Sequence, residues 1–558
     1  MRLVALLALT LLVAPAIALP APAPAEWEAR AGQPVVLLGA QLPGLAVVAR
    51  YVERPPLPFQ EEAMDGVWLP LPALAVEGAT PVDEVAVFRW EGGAFVRVVS
   101  QVDERFVRYL TNYASDFAPY SQSDMELTYA FDAEGARKTG EAPGEPWRAA
   151  FAGAATTPDH VPGFDSDDEL VFLAGDAGAR APAHAGLLEV ELLDPLTGAR
   201  RYAYVGRAAP VAFEPLVTYA RDADADLYVQ SNHGGYGGAP GGTCFPGDGV
   251  DAPWGTPRAC DHRRPKDSAW VTAQTYRFHY AGRWKLDAIH AREGDGWGPD
   301  LVDRWKGRAF QQREGNALDI GGFEDENDWT RSSVTLGERV GPIRVLRETW
   351  GADSGTHVTR LDAFYPTFFS QVYRLRVHPV PPDGIYAFWD HTAGAVDTYY
   401  TAYRPEGVPI DGVNDEAYGT NSEWQEDALG ATYFAIDAPD PTLQGPLANV
   451  AWDQVSGARG SVVTVLLAPD TKTGALTPYY RDDALFNDGT GHDPQPQGSF
   501  GAHGIHFFFT SDSDNLFLPA PVTEFVAEVR MLVREGRLPN VAQEHAAREI
   551  VPLTVAVR

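Results

Sequence analysis

The sequence predicts a mainly β protein built from two packed β-sandwich units with few short helices. Short apolar or alternating runs, among them PVVLLG, VAVFRW, FVRVVS and SVVTVLLA, recur between Gly, Pro, Asp and Asn residues, a pattern typical of strands separated by turns. Runs with helical periodicity are scarce. A chain of 558 residues is also longer than one ordinary hydrophobic core accommodates, so we expect at least two units.

Residues 1–25 have the composition of a secretory signal and its processing region. Arg2 is followed by the apolar run 3–13 and by two small-x-small cleavage motifs, at 16–18 and 23–25. The apolar run is too short to span a bilayer, and no later stretch has the length and hydropathy of a membrane span. We therefore expect an exported protein, periplasmic or extracellular, without a membrane span.

The net charge restricts the class of partner. The chain carries 44 basic and 76 acidic side chains, a formal charge of −32, which repels nucleic acid and anionic lipid. One region departs from this balance: residues 258–313 hold twelve Lys or Arg and seven Asp or Glu, a local charge of +5. A neutral ligand, or an anionic ligand bound near this region, is therefore expected rather than a nucleic acid.

The first unit is expected at 26–207. Its clearest element is a hairpin over 187–207, because two strand-like runs flank the sequence DPLTG at 194–198, in which Pro favours a turn and Gly supplies a positive φ. Residues 106–160 have weak periodicity and many Asp, Ser, Gly and Pro residues. They are expected to form a long insertion in this unit.

The second unit is expected at 208–558 and begins with a long loop at 231–266. The two cysteines of the chain, Cys244 and Cys260, lie in this Gly- and Pro-rich loop, and no CxxC motif accompanies them. In an exported chain such a pair favours a disulfide over a metal or redox site. Closing a loop of this size stabilises the folded state by about 3 kcal/mol in the chain-entropy model.

The end of the second unit contains the best helical pattern. Over 523–536, Thr523 has the character of an N-cap and Gly536 that of a stop signal. The apolar residues between them form a stripe at helical spacing: Phe525, Val526, Val529, Leu532 and Val533. A helix is therefore predicted at 523–536, followed by a closing strand in VPLTVAVR.

Acidic residues at alternate positions precede several apolar runs. The two main sets are Asp165, Asp167 and Glu169, and Asp222, Asp224 and Asp226. Alternate residues of an extended segment share one face, so such carboxylates would converge on a hard cation, and we expect a structural Ca²⁺. An EF-hand is excluded, because Leu170 occupies the position that needs Gly. The alternative is a solvated strand entry that blocks edge pairing.

The loop at 231–266 also concentrates residues with catalytic chemistry. No nucleophile elbow, P-loop or HExxH motif occurs in the chain. Tyr236 and His262 are candidate bases, and Arg263 and Arg264 could neutralise a substrate carboxylate as in a polysaccharide lyase. His233 and Trp254 are candidate ligand-binding residues of the same loop. The alternative is a stapled surface loop whose charges are only solvated.

Three sequence stretches carry a resemblance. The motifs QVDER at 101–105, DSDDELVFLAGDAG at 165–178 and GPIRVLR at 341–347 resemble a group of exported bacterial β-rich proteins, and this resemblance brings no activity with it. The succession of long strands with Gly-Pro breaks is similar to the β-supersandwich domains of carbohydrate-active enzymes. That similarity implies a supersandwich-like second unit, and further ligand-binding candidates on its strands are Arg344, Arg347, Arg374 and Trp389.

Two functions from different classes follow. The first is an exported protein that binds or acts on extracellular polysaccharide, as a lyase or hydrolase if it is an enzyme. The 14 Trp and 22 Tyr residues of the chain favour it, because sugar rings dock on exposed aromatic faces. The second is a non-catalytic periplasmic or cell-surface protein with a structural or interaction role. The sequence does not decide between them and predicts no oligomeric state.

Overall fold

The computed structural model describes part of the chain. The described residues are 27–51, 78–109, 125–132, 159, 161–184, 186–225, 228–230, 263–309, 324–326, 329–330, 333–350, 357–376, 385–401, 404–413, 424–426, 432–434, 450–467, 475–485, 498–508 and 524–558. The predicted signal region, most of the predicted insertion and the loop from 231 to 262 lie outside them. Asp226, His233, Tyr236, Cys244, Trp254, Cys260 and His262 therefore also lie outside the described residues.

Nine strands precede residue 210. They are β1 Pro34–Leu38, β2 Val85–Glu91, β3 Ala94–Arg97, β4 Gln101–Asp103, β5 Arg105–Tyr109, β6 Met125–Tyr129, β7 Glu169–Leu173, β8 Leu188–Leu193 and β9 Arg200–Arg207. The predicted hairpin over 187–207 is confirmed: β8 and β9 are antiparallel, and Gly198 has φ +75°. The Asp194 carboxylate accepts hydrogen bonds from the turn residues Leu196 and Thr197, which explains why this short sequence turns the chain.

Nine more strands follow before residue 330. They are β10 Thr218–Arg221, β11 Tyr228–Gln230, β12 Arg263–Pro265, β13 Ala269–Thr272, β14 Tyr276–Tyr280, β15 Leu286–Glu293, β16 Gly296–Asp300, β17 Val302–Ala309 and β18 Glu324–Asp325. β11 and β12 pair antiparallel, so the two ends of the loop predicted at 231–266 lie side by side.

The remaining elements extend to the end of the chain. They are β19 Val334–Val340, β20 Val345–Trp350, β21 His357–Phe364, β22 Phe369–Arg376, β23 Ile385–His391, β24 Thr398–Thr401, β25 Val408–Pro409, β26 Trp424–Glu426, β27 Thr432–Phe434, β28 Val450–Ser456, β29 Ser461–Leu467, β30 Ala475–Asp483, β31 Ser499–Phe508, β32 Glu524–Arg534, helix α1 Ala542–Ile550 and β33 Thr554–Val557. Short 3₁₀ turns occur at Glu28–Arg30, Gly39–Gln41, Val82–Glu84 and Ala174–Asp176. The mainly β fold that the sequence predicts is thus confirmed.

The N-terminal strands form a small sandwich. One sheet has the order β1-β7-β4 and the other the order β3-β2-β9-β8-β33, and apolar residues of both sheets share one core. The predicted closing strand is confirmed as β33. It pairs with β8, from Thr554 opposite Leu193 to Val557 opposite Val190, so the end of the chain belongs to a sheet of N-terminal strands.

The rest of the chain forms a larger sandwich. Its main sheet has nine strands in the order β19-β20-β21-β22-β32-β29-β28-β24-β25. One face of this sheet shares a core with a seven-stranded sheet, β18-β17-β23-β31-β30-β27-β26, and with a five-stranded sheet, β10-β13-β14-β15-β16. The opposite face packs against α1 and against Tyr129 and Phe131. Both faces of β29 are therefore buried, which explains its sequence VVTVLL, apolar except for Thr464.

The predicted helix at 523–536 is wrong, because residues 524–534 form strand β32. This strand lies in the interior of the nine-stranded sheet between β22 and β29. Its apolar residues also alternate: Ala527, Val529, Met531 and Val533 all enter the large core. The same sequence fits a period of two as well as a period of 3.6, and the pairing available on both sides decides for the strand.

No helix in the described part of the chain combines the length and the apolar character needed to cross a membrane.

Candidate metal centre

The three stretches that carry the sequence resemblance meet at one place in the fold. Arg344, immediately before β20, donates from Nε to Asp103 (2.9 Å), from Nη1 to the hydroxyl of Tyr365 (2.8 Å) and from Nη2 to the carboxylate of Glu169. Gln101 completes the contact, because its Oε1 accepts hydrogen bonds from the backbone N–H groups of residues 343 and 344, both at 2.9 Å. This buried cluster joins the small sandwich to the nine-stranded sheet.

A group of carboxylates lies directly beside this junction, in the segment that leads into β7. One oxygen from each of Asp159, Asp165 and Asp168 lies within 4.8 Å of the others. The segment is held against 39–47: the N–H of Gly39 bonds the carbonyl of Asp168 (2.9 Å), and the N–H of Val47 bonds the carbonyl of Phe164 (3.0 Å). Tight packing, rather than an extended strand, thus brings the three acids together.

Gly39 explains how closely the two segments pack. A Cβ atom at this position would lie 1.7 Å from the carbonyl oxygen of Asp165, so only glycine permits the approach. The chain also turns at Gly163, which has φ +83°. These two glycines let residues 163–168 fold back toward 39–47 before β7 begins.

Hydrogen bonds fix most of the carboxylate oxygens. Asp168 accepts from the N–H of Arg105 and from the N–H of Asp165, both at 2.9 Å. Oδ1 of Asp165 accepts from the N–H of Asp167 at 3.0 Å. Asp165 is 0% exposed, and its Oδ2 has no hydrogen-bond partner. A buried carboxylate oxygen without a partner is energetically costly.

The electrostatics of the cluster agree with this. Burial, with the negative charges of Asp168 and Asp167, raises the pKa of Asp165 to about 9, although the N–H of Asp167 opposes the shift. Burial also raises the pKa of Asp168 to about 8, although backbone N–H groups oppose the shift. The site therefore disfavours its own negative charge. A bound divalent cation would favour the ionised carboxylates and so lower both pKa values.

Of the first predicted metal set, Asp165 lies in the carboxylate cluster, and Asp167 and Glu169 do not; that a metal binds here stays a prediction. Oδ2 of Asp167 instead accepts from Nε of Arg50 (3.1 Å). Glu169 lies at the junction: it forms ion pairs with Arg105 (2.7 Å) and Arg344, which lower its pKa against the opposing effect of burial. The alternation rule failed because the segment turns instead of extending.

Asp159 and Asp168 were not predicted as ligands. Asp159 lies in the weakly patterned stretch taken as an insertion, and no local spacing relates it to Asp165. Asp168 is three residues after Asp165, a spacing that places carboxylates together in a turn but not in a strand. A turn indicated by the Pro-Gly pair at 162–163 was the available signal.

The second acidic stretch does not form a carboxylate cluster among the described residues. Oδ2 of Asp222 lies 3.0 Å from Nε2 of His279, and Oδ2 of Asp224 lies 2.8 Å from Nζ of Lys266. Each carboxylate has its own basic partner instead of sharing a cation with the other. Metal binding by Asp222 and Asp224 stays a prediction that this geometry does not support.

Most of the ligand-binding candidates on the long strands face inward. Arg344 is part of the buried junction, and Arg347 donates to the carbonyl of Asp267 (3.0 Å) while its guanidinium lies 3.9 Å from the centre of the Tyr280 ring. Trp389 is 2% exposed and belongs to the large core. These positions hold the sandwich together and do not line a groove, which corrects the expectation for Arg344, Arg347 and Trp389. These arginines can be buried because carboxylates or carbonyl groups that are distant in sequence pair with their guanidinium groups.

Two further sets of candidates are placed only in part. Arg374 is half-buried, and its Nε lies 3.5 Å from Glu126. Arg263 and Arg264 lie in β12, opposite Gln230 and Val229 of β11. Since the rest of the loop lies outside the described residues, the roles predicted for Tyr236, His262, Arg263 and Arg264 stay predictions.

Comparisons with known proteins show a distant structural likeness. No protein-family model matches the chain, and no curated protein matches it. A solved structure described as that of "the gh92 family glycosyl hydrolase ccman5" is similar over 47% of this chain, with 10% sequence identity and a TM-score of 0.18. The match covers 30% of that chain. A TM-score of this size carries no argument about the activity of the present protein.

Proposed function

We propose that this chain is an exported β-sandwich protein that holds a structural Ca²⁺ at Asp159, Asp165 and Asp168 and binds or acts on extracellular carbohydrate. The observation that carries the metal half is the buried Oδ2 of Asp165, which has no hydrogen-bond partner and belongs to the three-carboxylate cluster. A divalent cation would supply the missing charge compensation there.

The chemistry of the donor set favours calcium over a transition metal. The cluster offers only carboxylate oxygens, and hard oxygen ligands suit Ca²⁺, whereas Zn²⁺ sites usually include His or Cys. A structural role fits the position. The N–H of Arg105 bonds Asp168, and the guanidinium of Arg105 bonds Glu169 at the junction with Arg344. The ion would therefore stabilise the segment that joins the two sandwiches.

The carbohydrate half rests on composition and export. An acidic, Trp- and Tyr-rich exported protein suits uncharged or locally bound sugar chains. Four tryptophans are buried in the large core: Trp284, Trp305, Trp329 and Trp389. We therefore expect other aromatic residues to contact sugars, such as the half-buried Trp270 and Trp297. If the protein is a lyase, Tyr236 or His262 would take the proton α to the carboxylate, and Arg263 and Arg264 would stabilise the resulting charge.

The test separates the two halves. Elemental analysis and calorimetric titration of the mature protein with Ca²⁺ examine the metal site, with the Asp165→Asn variant as the site-specific control. A glycan array and a polysaccharide-degradation screen, run with and without Ca²⁺, examine the carbohydrate half. If no glycan is bound or degraded in either condition, the non-catalytic structural or interaction role takes its place.

A further inference from the structure

An open cavity of about 570 Å³ lies at the surface of the small sandwich. It is lined by residues 180–184, 186 and 187 and by Glu189 of β8. Its volume lies within the range typical of small-molecule sites. The charged or titratable side chains of the lining are Arg180, His184 and Glu189, so the cavity is polar at its base.

Arg180 is held in a fixed orientation by Glu189. Nε of Arg180 donates to one carboxylate oxygen (3.1 Å) and Nη2 to the other (2.9 Å), a two-point pairing. Glu189 is only 1% exposed, and the hydroxyl of Tyr204 lies 3.4 Å from it. The Arg180 guanidinium also lies 5.4 Å from the centre of the Tyr202 ring. Ordering of the side chain is therefore largely complete before any ligand arrives.

The pairing leaves one edge of the guanidinium available. In the part of the chain that the structure describes, Nη1 of Arg180 makes no hydrogen bond, and the side chain is 55% exposed. His184 lies on the same wall: its Nδ1 is bonded to the carbonyl of Leu187 (3.1 Å), and its Nε2 lies 3.8 Å from Glu189. The cavity thus presents free guanidinium N–H donors beside an imidazole that is itself held in place.

We propose that this cavity binds a small hydroxylated monocarboxylate of the sugar-acid class, a uronate, with its carboxylate on the free edge of Arg180 and a hydroxyl on His184. A planar, oriented guanidinium matches a carboxylate, and a neutral or charged imidazole matches a hydroxyl. Glu189 is paired with Arg180 and Glu191 with Arg558, so the preference for a carboxylate over phosphate rests on the planar two-point match and not on local charge. The choice of a sugar acid rests on the proposed function, whereas the anion site rests on the Arg180 geometry alone.

The experiment measures binding of sodium glucuronate and sodium galacturonate by calorimetry, with glucose as the neutral match and inorganic phosphate as the competing anion. The uronates are expected to bind wild type, glucose at least ten-fold more weakly, and Arg180→Gln at least ten-fold more weakly than wild type. Arg200→Gln is the matched control. Arg200 is 50% exposed and pairs with Glu191 on the neighbouring strand, but it does not line the cavity, so binding should be unchanged.

A second variant covers the case in which Arg180→Gln leaves Glu189 unpaired and unfolds the unit. Ala183 is exposed and lines the cavity without touching the ion pair, so Ala183→Phe should keep the melting temperature and weaken uronate binding. Equal uronate binding by wild type and both variants would overturn the proposal, as would the absence of binding to wild type or equal affinity for phosphate. A positive glycan screen that is unchanged in both variants would overturn this site and leave the proposed function standing.

Discussion

Arg344 and Glu169 form a buried ion pair although 175 positions separate them in the chain. Arg344 also pairs with Asp103, so one guanidinium neutralises two buried carboxylates of the small sandwich. The contact links the turn before β20 to β4 and β7. It holds the two sandwiches together with Gln101, which accepts from the backbone of residues 343 and 344, and with Arg339, which also pairs with Asp103.

The first prediction concerns this arginine. Arg344→Ala removes a guanidinium shared by two buried carboxylates, which keep Arg105 and Arg339 as partners, so we expect a loss of about 3 kcal/mol in the free energy of unfolding, at the lower end for a broken buried ion pair, measured by urea denaturation. Arg537→Ala is the control, because Arg537 and Asp397 form an exposed pair worth about 0–1 kcal/mol. Equal losses in the two variants would contradict the role assigned to Arg344.

The second prediction concerns the carboxylate cluster. Chelation with EDTA should lower the melting temperature, and excess Ca²⁺ should restore it, by about 2.7 kcal/mol of stability at a free concentration 100 times the dissociation constant. Asp165→Asn and Asp168→Asn should abolish the response. Asp224→Asn should retain it, because Asp224 is half-exposed and pairs with Lys266. A melting curve that EDTA leaves unchanged, with no calcium in the purified protein, would remove the metal site.

The third prediction concerns acid stability. Burial, with a smaller effect from His503, lowers the pKa of His391 to about 3. The unfolded chain takes up this proton near pH 6.5, whereas the folded protein does not, so stability should fall as the pH drops from about 6.5 toward 3. At pH 4.5 this difference in proton uptake lowers the free energy of unfolding by on the order of 2–3 kcal/mol relative to neutral pH. His391→Gln should flatten the pH dependence of urea unfolding across this window, and an unchanged slope would contradict the assignment.

The fourth prediction concerns His279, whose protonation stabilises the folded protein, so the pH dependence of stability is opposite to that of His391. Nδ1 of His279 lies 2.5 Å from Asp287 and its Nε2 lies 3.0 Å from Asp222. Burial opposes protonation, but these two carboxylates prevail and raise the pKa of His279. The stabilising contribution should be complete below about pH 6.5 and disappear as the pH rises through the folded-state pKa. NMR titration of labelled histidines should show this resonance titrating above pH 6.5, and Asp222→Asn should move its midpoint down.

The fifth prediction concerns the cysteines. Cys244 and Cys260 are the two cysteines of a chain that we predict to be exported, and β11 and β12 bring the ends of their loop together. Thiol labelling of the unfolded, unreduced protein should therefore detect no free thiol. Recovery of two labelled cysteines would contradict the disulfide.

The carboxylate cluster illustrates why the site could be predicted only in part. The density of acids before β7 led to the metal prediction, and Asp165, one of the three clustered carboxylates, was among the residues that the sequence singled out. Asp159 joined it because Gly163 turns the chain and Gly39 admits the carbonyl of Asp165, two long-range packing facts that no local spacing records. Asp167, in contrast, turned to Arg50, a partner 117 positions away.

The sequence alone determined those features whose cause is local. The mainly β fold follows from short apolar runs between turn residues, and the β8–β9 hairpin follows from a Pro-initiated turn closed by Gly198. Tertiary structure decided the rest where local preferences are nearly balanced. Residues 524–534 suit a helix or a strand, and two neighbouring strands that pair with every part of the segment selected the strand. Likewise, arginine usually lies at the surface, but Arg344 is buried because it pairs with the carboxylates of Asp103 and Glu169. Both partners are buried and distant in sequence, so no local pattern predicts the contact.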